Sequence, residues 1–234
     1  MRELNFGCFQ FSTYILIIGI SFVISFIVFY HISKRNFTKL DILLSYVTNI
    51  IGFAVGAKLL SLFSNGIKIT ILNFINSGYS FLGGLIASIL LVALYCKIYK
   101  LDFTDMLSSF TVIYPLIYSV SKIGCYLNGC CYGIININDI NCKFPLQLFD
   151  SALMLILFLI LLMMFVKFCK NKVLLISVCF IAFSAIRFLG DFFRDSRNVL
   201  VFNFTLEQLL CGVLVITSVI LMRKTKNKYT QIAN

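Results

Sequence analysis

The sequence predicts an all-α integral membrane protein of about seven transmembrane helices, with broken or irregular segments around a polar site on the outer side. Of its 234 residues, 60% are hydrophobic and only 12% are charged, and the mean hydropathy is +0.99. A soluble domain of this length cannot hide so much apolar surface. The apolar residues also fall into runs that approach the roughly 20 residues needed to cross a bilayer.

Seven such runs predict the membrane spans and, together, a single polytopic domain over residues 1–234. In the second run, Gly52, Gly56 and Ala57 have the small-residue spacing that allows close helix contact. The connection 64–78 is predicted to be rich in turns, and 134–143 and 195–202 are predicted to be loops. The approximate spans are 11–30, 42–63, 79–95, 106–120, 145–166, 173–193 and 204–222.

The positive charges predict the orientation in the membrane. The net charge of +11 could suggest nucleic acid binding, but the charges lie in short loops beside the spans, where they set orientation and contact anionic lipid. We therefore expect no nucleic acid partner, an extracytoplasmic N-terminus and a cytoplasmic C-terminus. Twelve of the 20 Lys and Arg residues fall on the predicted cytoplasmic side: Lys34, Arg35, Lys39, Lys97, Lys100, Lys167, Lys170, Lys172, Arg223, Lys224, Lys226 and Lys228.

One polar segment, residues 121–133, interrupts the apolar background. It contains Lys122 and three glycines, which allow turns and close backbone approach. A lysine at the end of an apolar run is costly unless it meets water or an anion. The segment predicts a membrane helix that breaks at a polar site, with irregular backbone buried in protein.

The nine cysteines divide into two groups. Cys8, Cys96, Cys169, Cys179 and Cys211 lie in or beside apolar runs, where cysteine behaves as a small hydrophobe. Four others cluster between spans: Cys125, Cys130, Cys131 and Cys142. The first three could form a disulfide, a metal site or an acyl-carrying thiol, or could be small residues lining a turn; Cys142 could bridge to one of them. Their spacing matches no common zinc pattern and no His accompanies them, so we expect no metal.

Three ionisable residues of the sixth span lie on one predicted helix face. Arg187, Asp191 and Arg194 are spaced i, i+4, i+7. Such groups in a membrane helix need partners or a polar cavity. Arg187 and Asp191 could form a purely structural pair. Alternatively, two guanidinium groups around one carboxylate leave a positive charge suited to a phosphate, to which Lys122 could add.

Several segments, in order along nearly the whole chain, resemble those of the bacterial prolipoprotein diacylglyceryl transferase family. Tyr14 resembles the family's Tyr in the first span. Segment 121–129 (SKIGCYLNG) is similar to its signature GRIGNFING, and 187–194 (RFLGDFFR) is similar to its RxxxEFxR. Further similar segments are 56–59 (GAKL), 78–86 (GYSFLGGLI) and 145–150 (PLQLFD), and Gln208 falls where the family has a Gln opening its last span.

The resemblance implies transfer of the diacylglyceryl group of phosphatidylglycerol to a cysteine thiol of a lipoprotein precursor in the bacterial plasma membrane, without a cofactor. It implies catalytic roles for Tyr14, Lys122, Arg187, Asp191 and Arg194. Its substrate-binding residues would be Gly83, Gly84, Gly124, Asn128, Gly133, Gln147 and Gln208. Five other tyrosines are predicted to be interfacial anchors: Tyr79, Tyr114, Tyr118, Tyr126 and Tyr132.

The chain departs from the family pattern at several positions. Leu82 replaces the family's His before Gly-Gly, Lys122 and Cys125 replace the signature Arg and Asn, and Asp191 replaces a Glu. The alternative to a transferase is therefore a catalytically silent or re-purposed lipid- or lipoprotein-binding homologue with a different acceptor. A small transporter would also suit a broken span with intramembrane charge, but it predicts an internal repeat, and none is evident.

Overall fold

The structure is a computed structural model that describes residues 3–6, 9–137, 140–168, 171–195, 199–201 and 203–233. Two of the cysteines assigned to apolar runs, Cys8 and Cys169, lie outside the described residues. Three of the basic residues, Arg2, Lys170 and Arg197, also lie outside them.

Seven helices of the described chain are long and apolar enough to cross a membrane, which confirms the predicted all-α multi-pass membrane protein. They expose large apolar side chains such as Val23, Leu159 and Val166, as lipid-facing surfaces do. The seven are α1 (Thr13–Ser33), α2 (Lys39–Ser64), α4 (Phe81–Tyr99), α5 (Phe103–Asn128), α6 (Leu146–Phe168), α7 (Lys172–Phe192) and α8 (Leu206–Ala233); a short helix, α3 (Ile71–Asn76), lies between α2 and α4.

In the part of the chain that the structure describes, three antiparallel hairpins connect or precede these helices. Their strands are β1 (Glu3–Phe6) with β2 (Phe9–Ser12), β3 (Gly133–Ile137) with β4 (Ile140–Phe144), and β5 (Val199–Val201) with β6 (Phe204–Thr205). The prediction that 134–143 and 195–202 are loops was therefore wrong for the strand residues. Ile134, Ile135, Ile137 and Ile140 are β-branched and favour strands.

The fourth span does not break where the sequence predicted. Helix α5 continues without interruption to Asn128, and irregular backbone begins only at Gly129, whose φ is +71°. A glycine inside a helix costs only about 1 kcal/mol, and packing offsets that cost at Gly124. A Cβ there would lie 3.3 Å from the Tyr14 ring and 3.2 Å from Ile17, so Gly124 lets α1 approach α5.

The described residues group into two compact units, one formed by Met1–Ile27, Thr111–Arg197 and Cys211–Asn234, the other by Val28–Phe110 and Asn198–Leu210. The core of the first unit includes Ile113, Tyr114, Tyr118 and Phe183, and the core of the second includes Phe29, Tyr46 and Phe110. The prediction of one polytopic domain stays a prediction.

Glycines bring α2 and α4 into direct backbone contact inside the second unit. A Cβ on Gly83 would collide with the Gly56 carbonyl oxygen and with Leu60, and one on Gly52 would lie 2.8 Å from the Ser88 Cα. This confirms the close helix contact that the small-residue spacing of the second span predicted. Lys58 also lies in this unit and donates to the Phe74 and Ile75 carbonyls at 2.8 and 2.7 Å, which caps the end of α3.

We predict that Gly83→Ala lowers the free energy of unfolding by about 1–3 kcal/mol, because the added methyl group overpacks a backbone contact. Thermal unfolding of the detergent-solubilised chain, followed by size-exclusion chromatography, measures the effect. Gly19→Ala is the matched control, since a Cβ at Gly19 meets nothing within 4 Å. Equal stability of the two variants would contradict the packing argument.

Candidate functional site

The Asp150 carboxylate joins three helices of the first unit. Lys122 on α5 places its Nζ 2.9 Å from Asp150 Oδ2, and Arg187 on α7 places its Nη1 3.9 Å from the same oxygen. The Tyr118 hydroxyl donates to Asp150 Oδ2 at 3.2 Å and accepts from Arg187 Nη1 at 2.6 Å. All four side chains are buried, so each charge has been removed from water and depends on these partners.

Small residues set the approach of the helices that carry this group. Ser119 and Ser151 exchange hydrogen bonds to each other's carbonyl oxygens, both at 2.9 Å, and so fix the register of α5 against α6. On α7, a Cβ at Gly190 would lie 3.0 Å from Asp150 Oδ1. Gly190 therefore leaves room for the carboxylate.

Both cations also lie near the Tyr118 ring. Lys122 Nζ lies 5.3 Å and Arg187 Cζ 5.4 Å from its centroid, within the range of cation–π attraction. Tyr118 and Tyr114 had been predicted to be interfacial anchors, but they are only 2% and 1% exposed. That prediction is wrong for both: Tyr114 is packed in the core of the first unit, and the Tyr118 hydroxyl group contacts Asp150 and Arg187.

Arg194 lies beyond the end of α7, which stops at Phe192, so the predicted single helix face holds only for Arg187 and Asp191. Arg194 Nη1 lies 3.9 Å from Asp191 Oδ1, and its Nη2 donates to Cys131 Sγ at 3.5 Å. Its side chain is 26% exposed, against 6% for Arg187. Among the three predicted site cations, Arg194 is thus the most accessible.

Cys125, Cys130 and Cys131 lie together where α5 ends, with their sulfur atoms all within 4.8 Å of one another. All three are free thiols, and so is Cys142, which is exposed on β4. Tyr14 hydrogen-bonds with Cys125. Hydrogen bonds from Cys125 and Cys130, followed by the charges of Arg194 and Lys122, lower the pKa of the Cys131 thiol below its ordinary value despite burial.

Hydrogen bonds connect the chain around these thiols to α6 and to the residues that follow α7. Gln147 Nε2 donates to the Cys130 carbonyl oxygen at 2.6 Å. Backbone hydrogen bonds join Asp195 to Tyr132 and Ile134 to Phe193 at 3.2 and 2.8 Å. A Cβ on Gly133 would lie 2.8 Å from the Phe193 carbonyl oxygen, so only glycine permits this approach.

The structure gives several predicted substrate-binding residues packing or capping contacts. Gly83 and Gly84 face α2, and Gly124 faces α1. Gln208 is the last residue of a capping box at the start of α8: its Oε1 accepts from Thr205 N at 3.0 Å, and its own N–H donates to Thr205 Oγ1 at 3.2 Å. The Thr-x-x-Gln spacing in the sequence is typical of a capping box and could have predicted these two hydrogen bonds.

Asn128 and Gln147 differ from these residues, because each has a buried side-chain oxygen without a hydrogen-bond partner among the described residues. The bond from Gln147 Nε2 to the Cys130 carbonyl fixes the amide orientation, so Oε1 is an acceptor. Leaving a buried acceptor unsatisfied costs about 1–3 kcal/mol. Both oxygens are suited to a donor such as water or a ligand hydroxyl.

Sequence reasoning missed the central residue, Asp150, although it ends the similar segment 145–150. An acid inside a predicted apolar span needs a buried cation, and Lys122 and Arg187 were the available partners in the flanking spans. That signal was sufficient to place Asp150 in the site.

The fold and the site together define a polytopic membrane protein with a paired ion cluster and a thiol cluster inside its helices. The family model described as prolipoprotein diacylglyceryl transferase matches residues 3–223, and the chain belongs to this family. It is 30% identical over 220 residues to the phosphatidylglycerol–prolipoprotein diacylglyceryl transferase of Rickettsia bellii, covering 83% of this chain and 80% of that protein.

Two shorter matches carry the same protein name. The Chlorobaculum tepidum protein is 28% identical over 152 residues, covering 59% of this chain and 53% of the relative. The Clostridium tetani protein is 33% identical over 104 residues, covering 43% and 42%. The chain thus spans about half the length of these two relatives.

We predict that Asp150→Asn lowers the free energy of unfolding by about 3–5 kcal/mol, because it leaves Lys122 and Arg187 as buried cations without their carboxylate. Denaturant unfolding in detergent measures the loss. Asp195→Asn makes the same chemical change at an exposed residue and is expected to cost little. A loss below about 1 kcal/mol for Asp150→Asn would contradict the assigned role.

Proposed function

We propose that this protein transfers the diacylglyceryl group of phosphatidylglycerol to a cysteine thiol of a lipoprotein precursor. Family membership and the names of the relatives support the reaction. The observation that carries the proposal is the charge of two buried or partly buried groups of side chains. Lys122 and Arg187 share the carboxylate of Asp150, and Arg194 lies beside the carboxylate of Asp191, so the three cations and two carboxylates together keep a net positive charge that suits a lipid phosphate.

The exposure of the cations suggests a division of roles. Lys122 and Arg187 are buried against Asp150, so we assign them to building the site and its potential. Arg194, at the helix end, is placed to contact the phosphate directly, and a guanidinium group can bind two phosphate oxygens at once. Asp191, 3.9 Å away, orients that guanidinium group.

The buried acceptors Asn128 Oδ1 and Gln147 Oε1 complement a headgroup that carries hydroxyl donors. The terminal glycerol of phosphatidylglycerol is such a group, whereas an ammonium headgroup would also add a positive charge beside cations. Cations for the phosphate and acceptors for the hydroxyl groups together favour phosphatidylglycerol as donor.

In the proposed reaction the acceptor thiol loses its proton to solvent, its sulfur bonds to a glycerol carbon of the lipid, and the bond from that carbon to the phosphate oxygen breaks. The electron pair of the broken bond leaves with glycerol phosphate, whose negative charge increases. Arg194, held by Asp191, would stabilise that charge most strongly in the transition state. Tyr14, beside Cys125, would line the acceptor side of the site.

We further propose that the site faces the extracytoplasmic leaflet of a bacterial plasma membrane. The cytoplasmic excess of Lys and Arg supports an external N-terminus and a cytoplasmic C-terminus. In that orientation the end of α5 and the start of α6 lie on the outer side, as does the end of α7.

One observation favours a second candidate, a silent lipid- or lipoprotein-binding homologue. Leu82, at the position of the family's His, is 0% exposed and packed in the core of the second unit. It therefore offers no group for proton transfer. This candidate predicts binding of lipid or lipoprotein without turnover.

We predict that the purified chain transfers labelled diacylglycerol from phosphatidylglycerol to a lipobox peptide, and that Arg194→Ala reduces kcat/KM about 100-fold or more. Arg194→Lys should retain part of the rate, because it keeps the charge but loses the fork. Arg35→Ala, which removes an exposed arginine, is the matched control and should leave the rate unchanged.

Phosphatidylethanolamine and unphosphorylated diacylglycerol serve as donor controls in the same assay. Wild-type rates in Arg194→Ala would remove the assigned phosphate contact. Lipid binding without any transfer by the wild type would support the silent homologue instead.

A further inference from the structure

The turn at the end of α5 brings Cys125 and Cys130 together through a Schellman motif. Gly129, with φ +71°, occupies the left-handed position, and its N–H donates to the Tyr126 carbonyl at 3.1 Å. The Cys130 N–H donates to the Cys125 carbonyl at 3.0 Å. In this motif the two outer residues place their side chains in contact, and here both side chains are thiols.

Cys131 adds a third thiol through an unusual backbone conformation. Its φ is +60°, which costs energy for a residue other than glycine and often marks a functional site. The hydrogen bonds from Gln147 and Asp195, together with the close contact at Gly133, hold the flanking chain in place. The strain is thus maintained by the surrounding structure, and the three sulfur atoms lie within 4.8 Å of one another.

We infer that Cys125, Cys130 and Cys131 bind a zinc ion as three thiolates, leaving the fourth position open for a thiol ligand. Zinc–sulfur bonds of about 2.3 Å in a tetrahedron put the sulfur atoms about 3.8 Å apart, so the observed cluster needs only a small contraction. Three protein ligands with an open fourth position are the arrangement of catalytic zinc sites. This inference replaces the sequence-based expectation that no metal is bound.

Arg194 supplies a hydrogen bond to one of the sulfur ligands of the proposed zinc site. Zinc with three thiolates carries a net negative charge, and Arg194 donates to the Cys131 sulfur at 3.5 Å. Hydrogen bonds to the ligands orient them and tune the metal. The same guanidinium group would then lie between the zinc ligands and the proposed phosphate contact.

The role of the zinc rests on the proposed function, whereas the existence of the metal site does not. A thiol that binds zinc loses its proton to solvent and remains a nucleophile. The acceptor cysteine, bound as the fourth ligand, would form the sulfur–carbon bond while the carbon–oxygen bond to glycerol phosphate breaks. The thioether product has no thiolate charge and would leave the metal. No protein base is then required at Leu82.

The first test measures metal binding without any enzyme assay. The full chain, purified in detergent under reducing conditions, is equilibrated with zinc and freed of excess ion, and its metal content is determined. We expect about one zinc per chain in the wild type and in the control Cys142→Ser, an exposed thiol outside the cluster. Cys125→Ser, Cys130→Ser and Cys131→Ser should each bind at least ten-fold more weakly.

Cobalt substitution of the wild type gives a readout that does not depend on the folding of any variant. Three thiolate ligands predict intense sulfur-to-cobalt charge-transfer absorption. This absorption should disappear when zinc is added and displaces the cobalt ion. Absence of that absorption, or wild-type metal content equal to that of the triple serine variant, would overturn the inference. A disulfide bond between two of the three cysteines in the chain purified under the same reducing conditions would also overturn it.

Transfer measured in parallel separates the two proposals. Loss of transfer on chelation, with recovery on adding zinc, supports the role given to the metal. Transfer by a chain that binds no zinc keeps the proposed function and removes the inference. Zinc binding without transfer by the wild type keeps the metal site and removes the proposed function.

Discussion

The Asp150 carboxylate is the interaction on which the first structural unit depends. It lies on α6 and receives Lys122 from α5, Arg187 from α7 and the hydroxyl group of Tyr118. In an apolar environment each of these cations would be unstable without it, so the carboxylate both stabilises the packing of three helices and holds positive charge at their shared end. The Asp150 carboxylate therefore contributes both to the packing of these helices and to the placement of their positive charge, and Arg194 is a more accessible cation than Lys122 or Arg187.

The thiol cluster illustrates how a helix end can build a site from local backbone geometry. Gly129 terminates α5 in a left-handed conformation, which brings together side chains five residues apart in sequence. The family match places this turn within a diacylglyceryl transferase scaffold. We connect the two clusters through Arg194, which contacts Asp191 on one side and Cys131 on the other. In the proposed reaction the guanidinium group of Arg194 would lie between the leaving phosphate and the attacking sulfur.

The sequence was sufficient to predict the helices, their approximate limits and the close contact of α2 with α4, because hydropathy and small-residue spacing are local properties. It did not show that α5 continues past Val120, because a glycine at position 124 indicates a helix break. The packing of Tyr14 and Ile17 against Gly124, which keeps the helix intact, is visible only in the structure. It also separated Lys122 from Asp150, because pairing across helices depends on rotation and register. Those are set by contacts such as the reciprocal bonds of Ser119 and Ser151.

A double-mutant cycle between Lys122 and Asp150 measures how strongly these two buried side chains stabilise each other in the folded protein. The free energies of unfolding of the wild type, Lys122→Met, Asp150→Asn and the double variant give the energy that couples the two residues. We expect a favourable coupling of at least about 1 kcal/mol, because the pair is buried and its charged atoms lie 2.9 Å apart. Additive effects of the two substitutions, within about 0.3 kcal/mol, would contradict it.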